Sequence, residues 1–455
     1  MLPIASYRSV NEFQDSSVDY SHYYNIMPDG TVKQINPFTG NEVWAVPGRS
    51  SRPLTNSSER SRGKLITGEE DAICSFCSKR YFETPPEKFR WVRDGETWRK
   101  IEAVAPEEYF TTTAEFRCVP NLFEIVTLDY WKKNYGYEPP ASEAERLQVY
   151  AASDIGMQHL RDVIAYKQSL SNQATLPPLT DAEILERSEF FFGGCHELIN
   201  ARRHFVAGEG IDQELVSSGL LTPEEHYYYT RITIDAMEGI VARNRYVRYV
   251  SIFQNWLRPA GASFDHLHKQ LVGLDEWGAS VTRQVRMLQS NPNAFNEYAS
   301  NFAAMYNLMI AENDHALAFA GIGHRYPTIE VFSKSVHAQP GEHTDEELRG
   351  VSDLIHAIHA AMGPGISCNE EWYYSPVDTI VKMPWHILIK WRVNVPAGFE
   401  GGTSIYINPL TPLELRDRVV PRLYELRNEK RVSGIRIAAE CQLRPNMLEY
   451  VSSQK

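Results

Sequence analysis

Apolar positions recur every three or four residues in five segments of the chain, a spacing typical of amphipathic helices. Thr180 and Thr344 each open such a segment and are followed three residues later by glutamate, the pattern of a capping box. Thr222 opens a third segment, with proline at its first helical position. The pattern therefore predicts helices over residues 141–170, 180–191, 222–246, 344–362 and 410–430.

Alternating, β-branched and aromatic residues between these segments predict strands. Residues 36–41 read NPFTGN and supply the turn of a predicted hairpin. Residues 245–256 (RYVRYVSIFQNW) and 265–271 (DHLHKQL) predict two strands joined by the short loop LRPAGAS. Strands, a helix, a strand pair and a last helix follow, so the chain is predicted to contain two halves of sheet and helix.

Composition and charge argue against several classes of protein. The 455 residues exceed one small core, and 43% hydrophobic with 23% charged residues is ordinary for a globular protein. The net charge of −12 argues against a dedicated nucleic-acid binder, although a local basic pocket can still hold one phosphorylated ligand. The chain contains no run of about 18 apolar residues, which argues against a membrane span. The first residues lack a signal-peptide pattern, so we expect a cytoplasmic protein whose six cysteines remain thiols.

Cys74 and Cys77 form a C-x-x-C pair, which can place two thiolates on one metal ion. The sequence has no second C-x-x-C, so further ligands would come from distant residues. His196, His204 and His266 are candidates. For each of them an ordinary hydrogen-bonded structural role is equally open.

The stretch DHLHKQL places two histidines and a glutamine at alternate positions. In an extended strand His266, His268 and Gln270 would share one face, and Lys269 would point away from it. A neutral imidazole nitrogen can attack phosphorus when the other nitrogen is held by a hydrogen bond. An amide can donate to a phosphate oxygen, and the backbone amides of residues 261–263 can hold further oxygens. A surface strand with two solvated histidines explains the same spacing.

This stretch extends into a longer pattern, Asn255-x7-Ser263-x2-His266-x-His268-x-Gln270. The pattern resembles the active-site signature of the galactose-1-phosphate uridylyltransferase family, in the histidine-triad superfamily. INPFTGNEVWAVPGRSSRP, the C-x-x-C pair, VPN at 119–121 and GGCHELINARRH resemble other segments of that family in the same order. The resemblance spans roughly residues 33–425 and is weak in the second half.

Pattern and resemblance together predict an α+β protein with two histidine-triad-like halves, each an antiparallel sheet with packed helices. An N-terminal arm is expected over residues 1–30. The first half, over residues 31–290, is expected to contain a structural zinc ion and the active site. Residues 124–190 are expected to be a helical insertion in that half. Residues 291–455 would form a degenerate second half, and the resemblance leaves a homodimer open.

The resemblance also implies a role for each matching residue. His268 would attack the α-phosphorus of a nucleoside diphosphate sugar and form a nucleotidyl-histidine, while Gln270 would hold the transferred phosphoryl group. A structural zinc ion would be bound by Cys74, Cys77, His204 and His266. The implied substrate-binding residues are Arg49, Arg52, Asn121, Asn255, Gly261, Ser263 and Gln270.

Three functions are compatible with these residues, and we favour the first. It is transfer of a nucleoside monophosphate between a nucleoside diphosphate sugar and a sugar 1-phosphate. The second is phosphorolysis of a nucleoside diphosphate sugar or a dinucleoside polyphosphate, with inorganic phosphate as acceptor. The third is a catalytically silent, zinc-containing nucleotide-binding protein, which the altered second half suggests. In that half Lys390 and Arg392 are either phosphate contacts or solvated edge charges, and we favour the second interpretation. His356 and His359 are interpreted as a solvated helix face.

Overall fold

The computed structural model describes residues 19–48, 62–64, 71–170, 179–206 and 212–454 of an α+β protein. The strands are β1 (Tyr24–Ile26), β2 (Val32–Ile35), β3 (Glu42–Ala45), β4 (Arg62–Lys64), β5 (Phe89–Asp94), β6 (Thr97–Glu102), β7 (Ala114–Pro120), β8 (His196–Ala201), β9 (Asp212–Glu214), β10 (Tyr249–Trp256), β11 (His268–Leu274), β12 (Met309–Glu312), β13 (Ala316–Ala320), β14 (Thr328–Ser333), β15 (Cys368–Tyr373), β16 (His386–Trp391), β17 (Ile405–Asn408) and β18 (Arg436–Ile437). The helices are α1 (Leu128–Tyr135), α2 (Ala141–Ala151), α3 (Asp154–Leu170), α4 (Asp181–Gly193), α5 (Pro223–Arg243), α6 (Gly278–Ser290), α7 (Phe302–Met305), α8 (Asp345–Met362), α9 (Gly398–Thr403) and α10 (Pro412–Asn428).

Twelve antiparallel strands form one large sheet, in the order β18-β12-β13-β14-β16-β15-β10-β11-β8-β7-β5-β6. The six strands on one side of its middle come from residues 89–274, and the six on the other side from residues 309–437. The two sets meet where β10 pairs with β15, with Asn255 opposite Asn369. Because this pairing is continuous, one face of the sheet extends across both parts of the chain.

Helices α5, α8 and α10 pack on one face of the large sheet. Lys269 of β11 points to this face, where its ammonium lies 2.6 Å from a Glu370 carboxylate oxygen and 4.7 Å from the ring centre of Tyr229. Both partners of this ion pair are fully buried, so each needs the other to offset its desolvation. His268 and Gln270 alternate with Lys269 along the strand and therefore face the opposite side.

Three helices begin where the capping signals predicted them. The hydroxyls of Thr180, Thr222 and Thr344 each accept a hydrogen bond from the backbone amide three residues later. Residues 141–170 are helical as predicted, but the chain breaks within this range into α2 and α3. Ser153 lies at the break, and its Oγ accepts from the Gly156 amide at 3.0 Å, which competes with a continuous helix.

A smaller sheet is formed by β1, β2, β3 and β17, in which β17 runs parallel to β3. The NPFTGN turn joins β2 to β3, as predicted. The arm predicted over residues 1–30 is wrong for its last part, because β1 pairs with β2 and the buried Tyr20 packs its ring 5.5 Å from that of Phe302. Residues 1–18 lie outside the described residues.

Four helices, α1 to α4, occupy the region where the helical insertion was predicted. Side chains from these helices share an apolar core with neighbouring loops, including Tyr109, Leu160 and Phe191. Glu87 and Arg117 form a buried salt bridge of 2.6 Å beside this core. The insertion therefore packs on the first half of the chain through its own set of apolar contacts.

The solvated helix face predicted for His356 and His359 is wrong, since both side chains are buried on α8. His356 Nε2 lies 2.7 Å from the carbonyl oxygen of Leu221, and His359 Nε2 lies 2.8 Å from a carboxylate oxygen of Glu370. The helix is covered by α5, α10 and the sheet, so spacing along α8 alone did not reveal this burial. Within the described part of the chain, every helix is too short or too polar to cross a membrane.

Candidate active site and metal centre

β11 begins at His268. His266 therefore lies just before the strand, whereas the sequence predicted both histidines within it. His268 Nδ1 donates to the His266 carbonyl oxygen at 2.7 Å, which assigns the proton to Nδ1 and leaves Nε2 with its lone pair. The side chain is 4% exposed, and this burial lowers the pKa of His268 to about 4. The imidazole is therefore neutral at pH 7 and its Nε2 can act as a nucleophile.

Four side chains of the expected metal site come together beside His268. The sulfur atoms of Cys74 and Cys77 and the Nδ1 atoms of His204 and His266 all lie within 4.8 Å of one another. A hydrogen bond from Cys74 lowers the pKa of Cys77, which favours the thiolate that binds metals. This Cys2His2 cluster can bind a metal ion.

The metal cluster is connected directly to His268. His266 Nε2 donates to the Ala201 carbonyl oxygen at 2.6 Å, which turns its Nδ1 toward the two sulfurs. The ring of Phe76, in the C-x-x-C loop, lies 5.9 Å from that of His266 and 5.4 Å from that of His268. Contacts that fix His266 within the cluster therefore also fix the His266 carbonyl group, which holds the His268 imidazole.

Gln270 is positioned by His196, a residue for which the sequence left only a metal-ligand or a structural role. The backbone amide of Ile125 donates to His196 Nδ1 at 3.0 Å, so the proton of this imidazole is on Nε2. That nitrogen lies 3.3 Å from Gln270 Oε1, to which Asn121 Nδ2 also donates at 3.5 Å. With its oxygen held in this way, the Gln270 amide nitrogen has no hydrogen-bond partner among the described residues and can donate to a ligand.

We expect His196→Ala to lower kcat for the expected nucleotidyl transfer about tenfold with little change in KM, because Gln270 loses the donor that orients it. Steady-state kinetics of the single variants and of the His196→Ala/Gln270→Ala double variant measure this effect. If His196 acts through Gln270, the double variant is no slower than Gln270→Ala alone. Fully additive losses in the double variant would contradict this role.

Asn255 lies where the two parts of the sheet meet. Its Oδ1 accepts from Asn369 Nδ2 at 2.7 Å, and the same nitrogen donates to the Ala260 carbonyl oxygen at 2.8 Å. Gly261 has a φ of +91°, which favours glycine, and a Cβ there would lie 4.0 Å from Asn255 Nδ2. Ser263 is exposed on the same loop. The loop thus brings Gly261 close to Asn255 and leaves Ser263 open to solvent.

Asn200 is a second site residue that the sequence did not indicate. It lies opposite His268 in the pairing of β8 with β11 and is 1% exposed. Among the described residues, neither its side-chain oxygen nor its nitrogen has a hydrogen-bond partner. An unsatisfied buried amide is costly, and a polar ligand group would remove that cost. Arg49 and Arg52, the other expected substrate contacts, lie outside the described residues.

Glu124 borders the site in the loop that contacts His196, and burial raises its pKa to about 7 from 4.5. A carboxyl group whose pKa is raised by folding contributes stability below the unfolded pKa and loses it as the pH rises through the folded pKa. We expect Glu124→Gln to stabilise the protein by about 1–2 kcal/mol at pH 8 and to have little effect at pH 4.5. Urea unfolding at both pH values tests this, with Glu145→Gln on the exposed face of α2 as control. Equal effects of Glu124→Gln at both pH values would contradict it.

Comparisons with known proteins agree with this fold. A family model described as a domain of unknown function, DUF4921, matches residues 27–450. ADP-glucose phosphorylase from Arabidopsis thaliana is 27% identical over 184 residues, which are 38% of this chain and 51% of that protein. The match therefore covers only about half the length of this relative.

Two solved structures from Arabidopsis thaliana have a similar fold. ADP-glucose phosphorylase with bound ADP-glucose has a TM-score of 0.56 and 16% identity, and the match covers 86% of this chain and 98% of that one. A GalT-like protein has a TM-score of 0.52 and 15% identity, with the same coverage of 86% and 98%. The resemblance to the GalT-like fold is confirmed, and so is the predicted α+β class.

Proposed function

We propose that this chain, which belongs to the DUF4921 family, is an enzyme that transfers a nucleoside monophosphate through a covalent intermediate on His268. The observation that carries the proposal is the hydrogen bond from His268 Nδ1 to the His266 carbonyl, which leaves Nε2 unprotonated. Gln270 places an amide donor beside His268 that has no partner among the described residues. A nucleophilic histidine needs such a donor for the phosphoryl oxygens, whereas an acid–base or structural histidine does not. The named relatives support a reaction of nucleotide sugars.

The proposed first step consumes a nucleoside diphosphate sugar. The lone pair of His268 Nε2 attacks the α-phosphorus, the bond from that phosphorus to the bridging oxygen breaks, and the sugar 1-phosphate leaves with the electron pair. The imidazole becomes cationic when the P–N bond forms, and its proton stays on Nδ1, from which it continues to donate to the His266 carbonyl oxygen. Gln270 donates to a non-bridging oxygen of the transferred phosphoryl group.

The proposed second step restores the enzyme. A phosphate oxygen of an acceptor attacks the α-phosphorus, and the P–N bond breaks and returns its electron pair to Nε2. We propose a sugar 1-phosphate as acceptor, so that one nucleotide sugar is converted into another. Dividing the transfer into two displacements lowers the barrier of each. An amide at position 270 cannot protonate the intermediate, which suits an enzyme that waits for an acceptor.

Inorganic phosphate is a second candidate for the acceptor, which would make the enzyme a nucleotide-sugar phosphorylase. The observation that favours it is the relative named ADP-glucose phosphorylase, together with the TM-score of 0.56 to the structure of that enzyme. The chemistry at His268 is the same for both acceptors. They differ only in the groups that hold the acceptor after the first sugar 1-phosphate has left.

We propose the remaining substrate contacts from their positions around His268. Asn121, Asn255, Gly261 and Ser263 surround the expected position of the phosphates and the nucleoside. Arg49 and Arg52 lie outside the described residues, and we propose from the sequence resemblance alone that they neutralise the diphosphate and bind the nucleotide. Asn200 joins this set, because a phosphate oxygen or a ligand hydroxyl would satisfy its unpartnered amide.

We propose that the Cys2His2 cluster binds zinc. A tetrahedral zinc ion with its usual bond lengths would separate its two sulfur ligands by about 3.8 Å and sulfur from nitrogen by about 3.6 Å. The two sulfurs are 3.8 Å apart, and the sulfur–nitrogen distances are between 3.4 and 3.8 Å. The bound ion would hold the C-x-x-C loop against His266 and would take no part in the transfer.

Intact mass spectrometry after incubation with ADP-glucose or UDP-glucose tests the covalent step. We expect a gain of one nucleoside monophosphate on the protein, in an adduct that acid hydrolyses and base does not. The better donor identifies the base. If neither donor nor a wider set of nucleotide sugars gives an adduct, the protein is a nucleotide-binding protein without turnover and the proposal fails.

The acceptor is tested on the isolated nucleotidylated protein. Addition of glucose 1-phosphate or galactose 1-phosphate should release a nucleoside diphosphate sugar, and the product is identified by chromatography. If orthophosphate alone releases a nucleoside diphosphate at a higher rate than either sugar phosphate, the enzyme is a phosphorylase.

A further inference from the structure

A cavity of about 460 Å³ lies on the second part of the large sheet, and we call it the second-half cavity. Its floor includes Asn369, Glu371, Leu388 and Lys390, and its walls come from the β2–β3 turn and α6. This volume is in the range of small-molecule sites in proteins. No role has been assigned to it above.

The second-half cavity opens on the same face of the sheet as the catalytic residues. Gln270 pairs directly with Phe253, and Phe253 pairs on its other side with Glu371. Glu371 pairs with Leu388, and Leu388 with Glu330. Directly opposed residues of adjacent strands share a face, so this row runs from the candidate active site into the cavity.

His386 of this cavity corresponds to His268 but has different surroundings. Its Nδ1 donates to the carbonyl oxygen of the residue two before it, Pro384, at 2.8 Å, as His268 does to His266 at 2.7 Å. Its ring is stacked between those of Phe332 and Tyr373, at 4.6 and 5.3 Å, and the residue two after it is a leucine. The second half therefore has a leucine in place of the amide and a histidine stacked between two rings, and its cavity suits binding rather than covalent transfer.

The cavity is lined by more positive than negative charge, although the whole chain carries −12. Its cations are Arg283, Arg325, Lys390 and Arg392, and its carboxylates are Glu330 and Glu371. Lys390 pairs with Glu371 at 2.6 Å, whereas the three arginines form no salt bridge with any of the described residues. Such a set can hold the charge of a phosphate group.

Arg392 is held by contacts with Tyr326 and Asn369. Its guanidinium carbon lies 4.4 Å from the ring centre of Tyr326, and Nη1 donates to Asn369 Oδ1 at 2.7 Å. Its Nε is buried and has no partner among the described residues. A guanidinium held on an aromatic ring with an unused donor is pre-organised for an anion. The solvated edge predicted for Lys390 and Arg392 is therefore wrong.

Acceptors line the other side of the cavity. Glu330 accepts from His324 Nε2 at 2.8 Å through one carboxylate oxygen and can accept from a ligand through the other, and the amide of Asn41 lies on the wall formed by the β2–β3 turn. Carboxylate oxygens beside arginines would repel a bare polyanion but can accept hydrogen bonds from sugar hydroxyls. The lining thus matches a ligand that combines one phosphate group with several hydroxyls.

We propose that the second-half cavity is a binding site for a sugar phosphate, separate from the site at His268. The proposal goes beyond the transfer reaction and does not depend on it, since none of its residues belongs to the nucleotide site. Asn369 lies between the two sites, because it bonds both Arg392 and Asn255. Variants that test the cavity therefore leave Arg392 and Asn369 in place.

Isothermal titration of the full-length His268→Ala protein with glucose 1-phosphate tests the site, with saturating ADP present to occupy any nucleotide site. We expect binding in this background, and binding about tenfold weaker or more in each of Arg325→Gln and Arg283→Gln. Both arginines are exposed, so these substitutions preserve the fold, which thermal unfolding verifies. Arg444→Gln is the matched control, because it removes an exposed arginine from another cavity of the second half.

Further probes define the ligand. Orthophosphate should bind more weakly than glucose 1-phosphate, and glucose more weakly still. The proposal is overturned if millimolar glucose 1-phosphate fails to bind the His268→Ala protein, or if Arg325→Gln and Arg283→Gln bind it as well as Arg444→Gln does. If the proposed transfer reaction is wrong, the result is a different one: the wild-type protein forms no nucleotide adduct.

Discussion

His268→Ala should abolish the covalent nucleotide adduct and reduce nucleotide transfer by about four orders of magnitude. The substitution removes the only atom proposed to bond phosphorus, while the metal cluster and the Gln270–His196 pair remain. Binding of the donor should be little affected, because the imidazole forms its new bond only during the reaction. Intact mass after incubation with the better donor, and the initial rate of product formation, measure the two effects.

His337→Ala is the control for this experiment, since His337 is a partly exposed residue of the second half and far along the chain from β11. It should leave both the adduct and the rate unchanged. An adduct of normal yield on the His268→Ala protein would show that another residue is the nucleophile. Peptide mapping of that adduct would then identify it.

Cys77→Ser should release the bound metal ion and lower the free energy of unfolding by about 3 kcal/mol or more, because structural zinc contributes its binding energy to folding. Transfer activity should also fall, since the carbonyl that holds His268 belongs to His266, one of the proposed metal ligands. Elemental analysis gives the metal content per chain, and urea unfolding gives the stability. Dialysis against a strong chelator should reproduce both losses, and added zinc should reverse them.

Cys441→Ser is the matched control for Cys77→Ser, because Cys441 is a partly exposed thiol far from the cluster in the sequence. It should keep the full metal content and stability. The metal proposal fails if the purified protein contains no zinc or other transition metal. It also fails if Cys77→Ser retains as much metal as Cys441→Ser.

Local patterns of the sequence were sufficient to predict much of the secondary structure. The capping boxes at Thr180 and Thr344 and the turn 36–41 involve residues within five positions of one another, so their hydrogen bonds are set by local geometry. The break at Ser153 is also local, but helical spacing on both sides of it concealed the change of direction.

The four side chains of the possible metal site were predicted, but the geometry around His268 was not. Spacing singled out the C-x-x-C pair, the family resemblance supplied His204 and His266, and the fold brings these four side chains within 4.8 Å of one another. Spacing did not indicate that His196 would hold Gln270 or that Asn200 would lie unpartnered beside His268. Both depend on the register of β8 against β11, and register is set by packing of the whole sheet.

The sequence by itself determined the helix starts, the alternation that separates His268 and Gln270 from Lys269, and the types of ligand available to a metal. These features depend on neighbouring residues, whose backbone geometry links them directly. Only the tertiary structure decided that His356 and His359 are buried, that Lys390 and Arg392 line a cavity, and that Asn369 bonds Asn255. Those contacts join residues far apart in the chain, and their energies depend on which surfaces the folded protein removes from water.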